Sequence, residues 1–329
     1  MNSLSNIWLR RLSKLTVFST LFLIFVGALV KSHEVGLSVP DWPTTYGKQM
    51  FAFPLSDMVG GIFYEHGHRI IATIVGFFTM MQAVWLGFSD RPDWLKKLGY
   101  GALTMVIIQG LFGGITVLFF LPTPISIIHG ILAQTFFIMT IIIAYGLSSE
   151  RQNRLDVGLS LPIRKGALIM SGAVYIQLIL GAVMRHTASG LAIPDFPTMG
   201  GLWIPSFSNE MVENINSILF DLDLDPVWKG QVIIHFLHRL GAVVVTGIII
   251  RFYIKHGPSI KANVLGRFTL IGIIAVLIIQ FTLGALTVIS IRAPYIASFH
   301  VVTGAALLGL CTLFSLKVNS MKKSEWKLQ

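Results

Sequence analysis

The chain has one cysteine, Cys311, in 329 residues. That excludes an intramolecular disulfide, a CxxC redox centre and thiol-pair attachment of a prosthetic group. Cys311 lies in an apolar run and reads as a small buried hydrophobe. Charge is also scarce. Asp, Glu, Lys and Arg together make 12% of the residues, about half the share of a soluble domain. Acid is scarcer than base, 15 residues against 25, for a net charge of +10.

What replaces the charge is hydrocarbon. Hydrophobic residues make up 54% of the chain, and several runs reach the ~20 residues that cross a bilayer as a helix. In lipid the backbone must satisfy its own hydrogen bonds, so these runs are expected to be helical. Eight spans are expected, at 15–31, 67–88, 98–118, 125–147, 166–185, 233–253, 267–290 and 295–316. The fold class is therefore an all-α polytopic membrane protein.

The basic excess does not form a nucleic-acid surface. It falls into five groups: Arg10, Arg11 and Lys14; Arg91, Lys96 and Lys97; Arg151, Arg154, Arg164 and Lys165; Arg251, Lys255, Lys261 and Arg267; and Lys317, Lys322, Lys323 and Lys327. With eight spans all five fall on one side, which the positive-inside rule makes cytoplasmic, with both termini there. Acidic residues, among them Glu34, Asp41, Asp57, Asp195 and Glu210, occupy the opposite loops. The basic, apolar N-terminal run has no small-residue cleavage site and is expected to persist as the first helix. With no Arg- and Ser-rich transit segment visible, a bacterial plasma membrane is the expected location.

The chain also repeats itself. Gly-Leu-Ser-Val-Pro-Asp-Trp-Pro-Thr at 36–44 answers Gly-Leu-Ala-Ile-Pro-Asp-Phe-Pro-Thr at 190–198. The run from Gln109 to Val117 answers that from Gln280 to Val288. Each half holds four spans, so the second starts on the same side as the first and the repeat is parallel. Two tandem, pseudo-symmetric four-helix bundles are expected, residues 1–150 and 151–329.

Four histidines follow the repeat. His68 and His238 each precede an arginine and open a span; His129 and His300 open two others. The steps are 238 − 68 = 170 and 300 − 129 = 171. Histidine inside a membrane is costly and asks for a task. His68 and His129 stand at similar depth on helices of one direction, as do His238 and His300, which suits two axial ligands of one haem per half. Arg69 and Arg239 suit haem propionates, with snorkelling to lipid headgroups as the alternative. Gly113, Gly114 and Gly284 leave room for a flat porphyrin or for close helix packing.

One asymmetry stands out. Glu65 shares a helix face with His68, whereas the second half has His235 there. A carboxylate beside one of two similar sites points to reaction at that site, and a solvated interfacial glutamate is the alternative. His66 points to another face and is expected at the interface; His33, His186 and His256 are expected in or near loops. The paired prolines bar helix in both outer loops, where Trp42 and Phe196 are expected as interfacial anchors and Asp41 and Asp195 as turn residues.

These residues together resemble the haem A synthase family over nearly the whole length. The resemblance rests on Glu65-x-x-His68-Arg69, the Pro-Asp-Trp-Pro loop, His129, His238-Arg239 and His300 in eight spans. It implies oxidation of the C8 methyl of haem O to a formyl group, giving haem A for terminal oxidases. It implies Glu65 as the catalytic acid residue, His68 and His129 as ligands of the substrate haem, and His238 and His300 as ligands of a haem b cofactor. Haem O synthase is then the expected supplier, beside an unidentified electron donor and the membrane lipids, and small lipid-facing residues are compatible with a homo-oligomer. The chain departs from many bacterial relatives in lacking a cysteine pair in the outer loops, with Val39 and Thr45 in the region of the first. A di-haem b-type carrier that oxidises quinol is the main competing reading. A transporter with histidine proton relays is the third, and it gives no reason for the pairing.

Overall fold

A computed structural model describes residues 3–152, 159–261 and 264–319. Arg154, Lys322, Lys323 and Lys327, which carry part of the charge reading, lie outside them. The described chain is helical: α1 (Ser3–Ser32), α2 (Gly61–Gly87), α3 (Asp93–Leu118), α4 (Thr123–Leu147), the single turn α5 (Ser149–Gln152), α6 (Leu161–His186), α7 (Asn209–Asp221), α8 (Lys229–Lys261), α9 (Val264–Ile289) and α10 (Pro294–Val318). Eight of these are long and apolar enough to cross a membrane.

The eight expected spans are all present. Most of their C-terminal ends match the apolar runs to within two residues. The helices start earlier than the runs, at Ser3, Gly61 and Asp93 for example, because a first turn outside the hydrocarbon can be polar and still helical. The sixth overruns most at its far end: α8 continues to Lys261 with Pro258 inside it, so His256 sits on a helix and not in a loop.

In the first half each helix packs on the next, and α4 returns to α1. In the second half α6 packs on α8, α8 on α9, α9 on α10, and α10 returns to α6. The halves meet where α1 and α4 pack on α10 and α4 packs on α6. α10 is the central helix: about half of its apolar stretch is buried, against a third or less in the other seven. Its small residues explain how: Gly309 admits Phe137 and Ile141 of α4, and Gly304 admits Leu178 of α6. Cys311 is fully buried in this helix, as a small hydrophobe should be.

Apolar burial drives little association inside lipid, so close packing and interhelical hydrogen bonds have to do it. Several such bonds tie the halves, three of them inside the bundle contact. Arg185 Nη2 donates to Ala28 O at 2.6 Å, Ser298 Oγ to Ser32 Oγ at 3.0 Å, and the Thr135 and Tyr175 hydroxyls share one at 2.7 Å.

The two loops that follow α1 and α6 begin alike. Thr45 pairs with Lys48 and Met199 with Leu202, and the Trp42–Pro43 and Phe196–Pro197 bonds are both cis. Asp41 accepts from the Tyr46 and Gly47 N–H groups, and Asp195 from those of Gly200 and Gly201. Both are turn residues, as expected. Beyond the turn the loops diverge. The first makes only two short 3-10 turns, Met50–Ala52 and Leu55–Asp57. The second builds α7, an element the sequence reading did not contain. Ser208 caps it, and Met211, Ile215 and Leu219, one per turn, pack on Ala192, Ile193 and Val232.

Candidate functional site: four imidazoles on four glycine shelves

The four repeated histidines lie at one end of the molecule. His68, His129, His238 and His300 fall in the first three turns of α2, α4, α8 and α10. Each ring rests on a glycine of the helix before it. A Cβ added at Gly27 would stand 3.0 Å from His68 Cε1; at Gly113, 3.3 Å from His129; at Gly181, 3.2 Å from His238; at Gly284, 3.0 Å from His300. Each glycine lies five residues before the last residue of its helix, Ser32, Leu118, His186 and Ile289. Gly113 and Gly284 were marked by the sequence; Gly27 and Gly181 were not. Gly114 has a different task. A Cβ there would meet the Trp42 ring at 2.6 Å, so Trp42 folds over α3 rather than standing outward as an interfacial anchor.

In the second half the two rings are neighbours. The His238 and His300 ring centres are 6.4 Å apart, with planes 78° from parallel. With metal–nitrogen bonds of about 2 Å and ring centres about 1.1 Å behind each nitrogen, two imidazoles on one metal have centres about 6.2 Å apart. The observed spacing fits that. His300 Nδ1 faces the Gln280 carbonyl at 3.2 Å; a carbonyl only accepts, so Nδ1 carries the proton and Nε2 the lone pair. Gln177 Nε2, an amide donor, lies 3.2 Å from His238 Nδ1. In the first half, His68 Nδ1 and His129 Nδ1 are buried without a partner.

Among the described residues no three of His, Cys, Asp and Glu converge as a site for a bare metal ion. Two ligands per half suit an iron whose other four positions a porphyrin already fills. Ring spacing, unpartnered ring nitrogens and glycine shelves all fit a haem.

Beside each pair the loop that follows α1 or α6 is pinned by one arginine. Arg69 donates from Nη1 to Asp41 O (2.6 Å) and Thr44 O (3.0 Å), and from Nη2 to Val39 O (2.8 Å) and Glu65 Oε1 (2.6 Å). Arg239 donates to Thr198 O (3.0 Å), Ile193 O (2.9 Å), Asp195 O (2.8 Å) and His235 Nε2 (3.1 Å). Four of the five N–H groups on each guanidinium are thereby used. Neither arginine snorkels. Each is the post on which its loop is tied.

Glu65 and His235 share a task. Glu65 is 4% exposed and accepts from Arg69 and, through Oε2, from the Val39 N–H at 2.8 Å. His235 is 2% exposed and faces Arg239 and the Ile193 N–H at 3.2 Å. Burial excludes the solvated reading of Glu65. The two groups differ in capacity: a carboxylate accepts from both donors at once, whereas a neutral imidazole accepts at one nitrogen. His66 is not interfacial. It is 1% exposed, with Nδ1 2.9 Å from Thr45 Oγ1 and its ring against Phe53. The first loop, without cysteines, is thus held by Glu65, His66 and Arg69. His33 stacks on Tyr64, with ring centres 4.4 Å apart.

Asp41 and Asp195 stand outside the spans. Burial pushes each carboxyl up, but the turn's hydroxyl and N–H donors outweigh it, and both are held below the ordinary value.

Known proteins are similar to this chain over most of its length. Residues 10–312 match the family model COX15-CtaA, described as cytochrome oxidase assembly protein. A protein named Heme A synthase from Shewanella oneidensis is 25% identical over 338 aligned positions, covering 96% of this chain and 97% of that one. Heme A synthase from Rickettsia prowazekii is 26% identical, covering 88% and 92%. That from Rickettsia massiliae is 28% identical, covering 87% and 91%.

Proposed function

The chain belongs to the COX15-CtaA family of cytochrome oxidase assembly proteins, and from that we propose that it is a haem A synthase, oxidising the C8 methyl of haem O to a formyl group. The observation that carries the reading is the imidazole pair 6.4 Å apart on glycine shelves, in a chain whose full-length relatives bear that name. In this reading His68 and His129 hold the substrate haem O, and His238 and His300 hold a resident haem b. The halves, residues 1–150 and 151–329, are tandem four-helix bundles. The basic ends of the helices and both termini face the cytoplasm, and the histidines lie near the outer surface of a bacterial plasma membrane.

A bound haem b would supply one-electron transfer to and from the first half. The protein's own part is position and field. Converting a methyl to a formyl is a four-electron oxidation at one carbon that sheds protons; an oxidant of the dioxygen class from outside the chain supplies the oxygen and takes those electrons together with the donor's. Glu65 is the one acidic side chain among the described buried residues. Arg69 and the Val39 N–H hold it three residues before His68. A fixed carboxylate there stabilises positive charge building on the porphyrin edge and can take a proton when the loop bonds shift. The loop, with Trp42 laid over Gly114, screens that edge from water. Arg69 and Arg239 each keep one N–H for a haem propionate. Haem O synthase is the proposed supplier, with a separate electron donor. A di-haem carrier would need the same imidazoles but leaves a carboxylate in one half without a task.

Haem extraction with chromatography and mass analysis tests this in cells supplied with haem O. Wild type should yield haem A. Glu65→Gln should keep its colour and accumulate haem O or a partly oxidised product, with formyl-haem down about 100-fold. Normal formyl-haem from the variant would remove Glu65 from the chemistry.

A further inference from the structure

Two of the shelf glycines are followed one helical turn later by a basic residue: Gly27 by Lys31 in α1, and Gly181 by Arg185 in α6. Both steps are the same, 181 − 27 = 154 and 185 − 31 = 154. The two cations are used differently. Arg185 crosses to α1, where its Nη2 donates to Ala28 O at 2.6 Å and to Ser32 Oγ at 2.9 Å. Ala28 follows the shelf of His68 directly, and Ser32 ends the helix. Among the described residues Lys31 donates no matching bond to α6.

Two further contacts reach the same end of α1 from the second half. Ser298, two residues before His300, donates from Oγ to Ser32 Oγ at 3.0 Å. Its counterpart in the repeat, Ile127 (298 − 127 = 171), has nothing to donate. Arg292 Nη2 lies 3.9 Å from Glu34 Oε1, and its counterpart is Leu121 (292 − 121 = 171). The two stems pack alike: a Cβ on Gly36 would stand 3.5 Å from Leu121 Cδ1, and one on Gly190 3.4 Å from Arg292 Cδ. Only Arg292 carries a charge on to the other half. That pair is exposed and contributes little. All three contacts run one way, with the second half supplying the cation or hydroxyl and the end of α1 receiving it.

The end of α1 governs two features of the first site. Gly27 sets where the His68 ring can lie, and the loop leaving Ser32 brings the Val39 N–H to Glu65 Oε2. The residues that hold this end stand on α6, one turn past the His238 shelf, and on α10, beside His300. We propose that Arg185, aided by Ser298, is a positioning residue for the first-half site, and that the two sites are coupled through it. α6 and α10, once steadied by ligation at His238 and His300, steady the shelf of His68. The inference rests on the porphyrin reading above and deepens it. It orders the loading, the resident haem before haem O. By linkage the same factor acts in reverse, so that haem O also tightens the resident haem.

The test is a mutant cycle read as haem O affinity, and not as occupancy, which saturation would level. Protein purified from cells without a haem O source is titrated with haem O at the Soret band. His238→Ala, which empties the second site, should weaken haem O binding about 10-fold, within the usual range of coupling between sites. Arg185→Leu should weaken it by a similar factor, and adding His238→Ala to Arg185→Leu should weaken it no further. Arg185→Lys, which keeps a donor for Ala28 O, should restore most of the affinity. Ser298→Ala should weaken binding about 3-fold, the worth of one neutral hydrogen bond. That loss should likewise vanish in the His238→Ala background, and it carries the cycle should Arg185→Leu not fold. Additive losses would make Arg185 and Ser298 mere ties and overturn the proposal, as would full affinity in His238→Ala or Arg185→Leu. A wild type that takes up no haem O would remove the porphyrin reading and this inference with it; haem O uptake with additive losses would remove the inference alone.

Discussion

The first half ties the loop after α1 with a carboxylate, and the second ties the matching loop with an imidazole. Everything else at the two anchors corresponds: Arg69 with Arg239, Val39 with Ile193, Thr44 with Thr198. At Glu65 a charge is buried against a charge, 2.6 Å from Arg69 with both side chains under 10% exposed. At His235 a neutral ring faces the same two donors. The second half compensates with α7, whose apolar face covers the loop residue Ile193. The comparison teaches that a buried carboxylate can be installed in a repeated scaffold by exchanging one acceptor for another, without altering the post it binds.

The largest expected effect comes from the part the halves share. Gly284→Val puts branched carbon where His300 Cε1 now lies 3.0 Å from a Cβ position, in a tightly packed interior. The low-spin EPR signal of the second-half haem should fall at least about 10-fold, with the first-half signal intact. Equal loss of both would mean that the shelves do not act half by half.

Next comes the difference between the posts. Arg69→Ala leaves the Glu65 charge buried and alone, a loss of about 3–5 kcal/mol. Arg239→Ala leaves only neutral acceptors unmade, about 1–3 kcal/mol. Thermal unfolding in one detergent should show Arg69→Ala as the less stable variant. The reverse order would deny Glu65 its charge in the folded state.

Much of this was legible in sequence, for stateable reasons. Hydrocarbon thickness sets span length, so eight apolar runs gave eight helices. His68, His129, His238 and His300 were visible because histidine is rare in such runs and these repeat. Gly113 and Gly284 were visible because each stands 16 residues before its histidine in both halves (129 − 113 and 300 − 284). Gly27 and Gly181 were hidden because their steps are 41 and 57, the second loop being longer by the stretch that holds α7. Their signal was the distance to the end of the span, five residues in every case. The common task of Glu65 and His235 was not legible, since nothing in sequence says that Val39 and Ile193 return to meet them. Trp42 misled for a related reason. Aromatics collect at membrane interfaces, but Gly114 opens a slot on α3 that takes the indole.

A smaller effect concerns acid. Burial raises the Asp41 carboxyl, and the Thr44 hydroxyl and the Gly47 and Tyr46 N–H groups lower it further, so its folded value lies below the unfolded one. Its contribution is therefore complete above the ordinary carboxylate value of 3.8 and is lost as pH falls through the lower folded value. Asp41→Asn should remove that pH dependence and loosen Trp42, seen as altered tryptophan fluorescence at neutral pH. Unchanged fluorescence in Asp41→Asn would separate the turn from the indole.

The most direct measurement of the two-site account is the identity of the porphyrin lost with each half. Purified His68→Ala and His238→Ala, expressed with haem O available, are extracted and their haems separated by chromatography. The account predicts that His68→Ala keeps haem b and lacks haem O and haem A, while His238→Ala loses haem b. Loss of the same porphyrin from both variants, or retention of both by either, would contradict it.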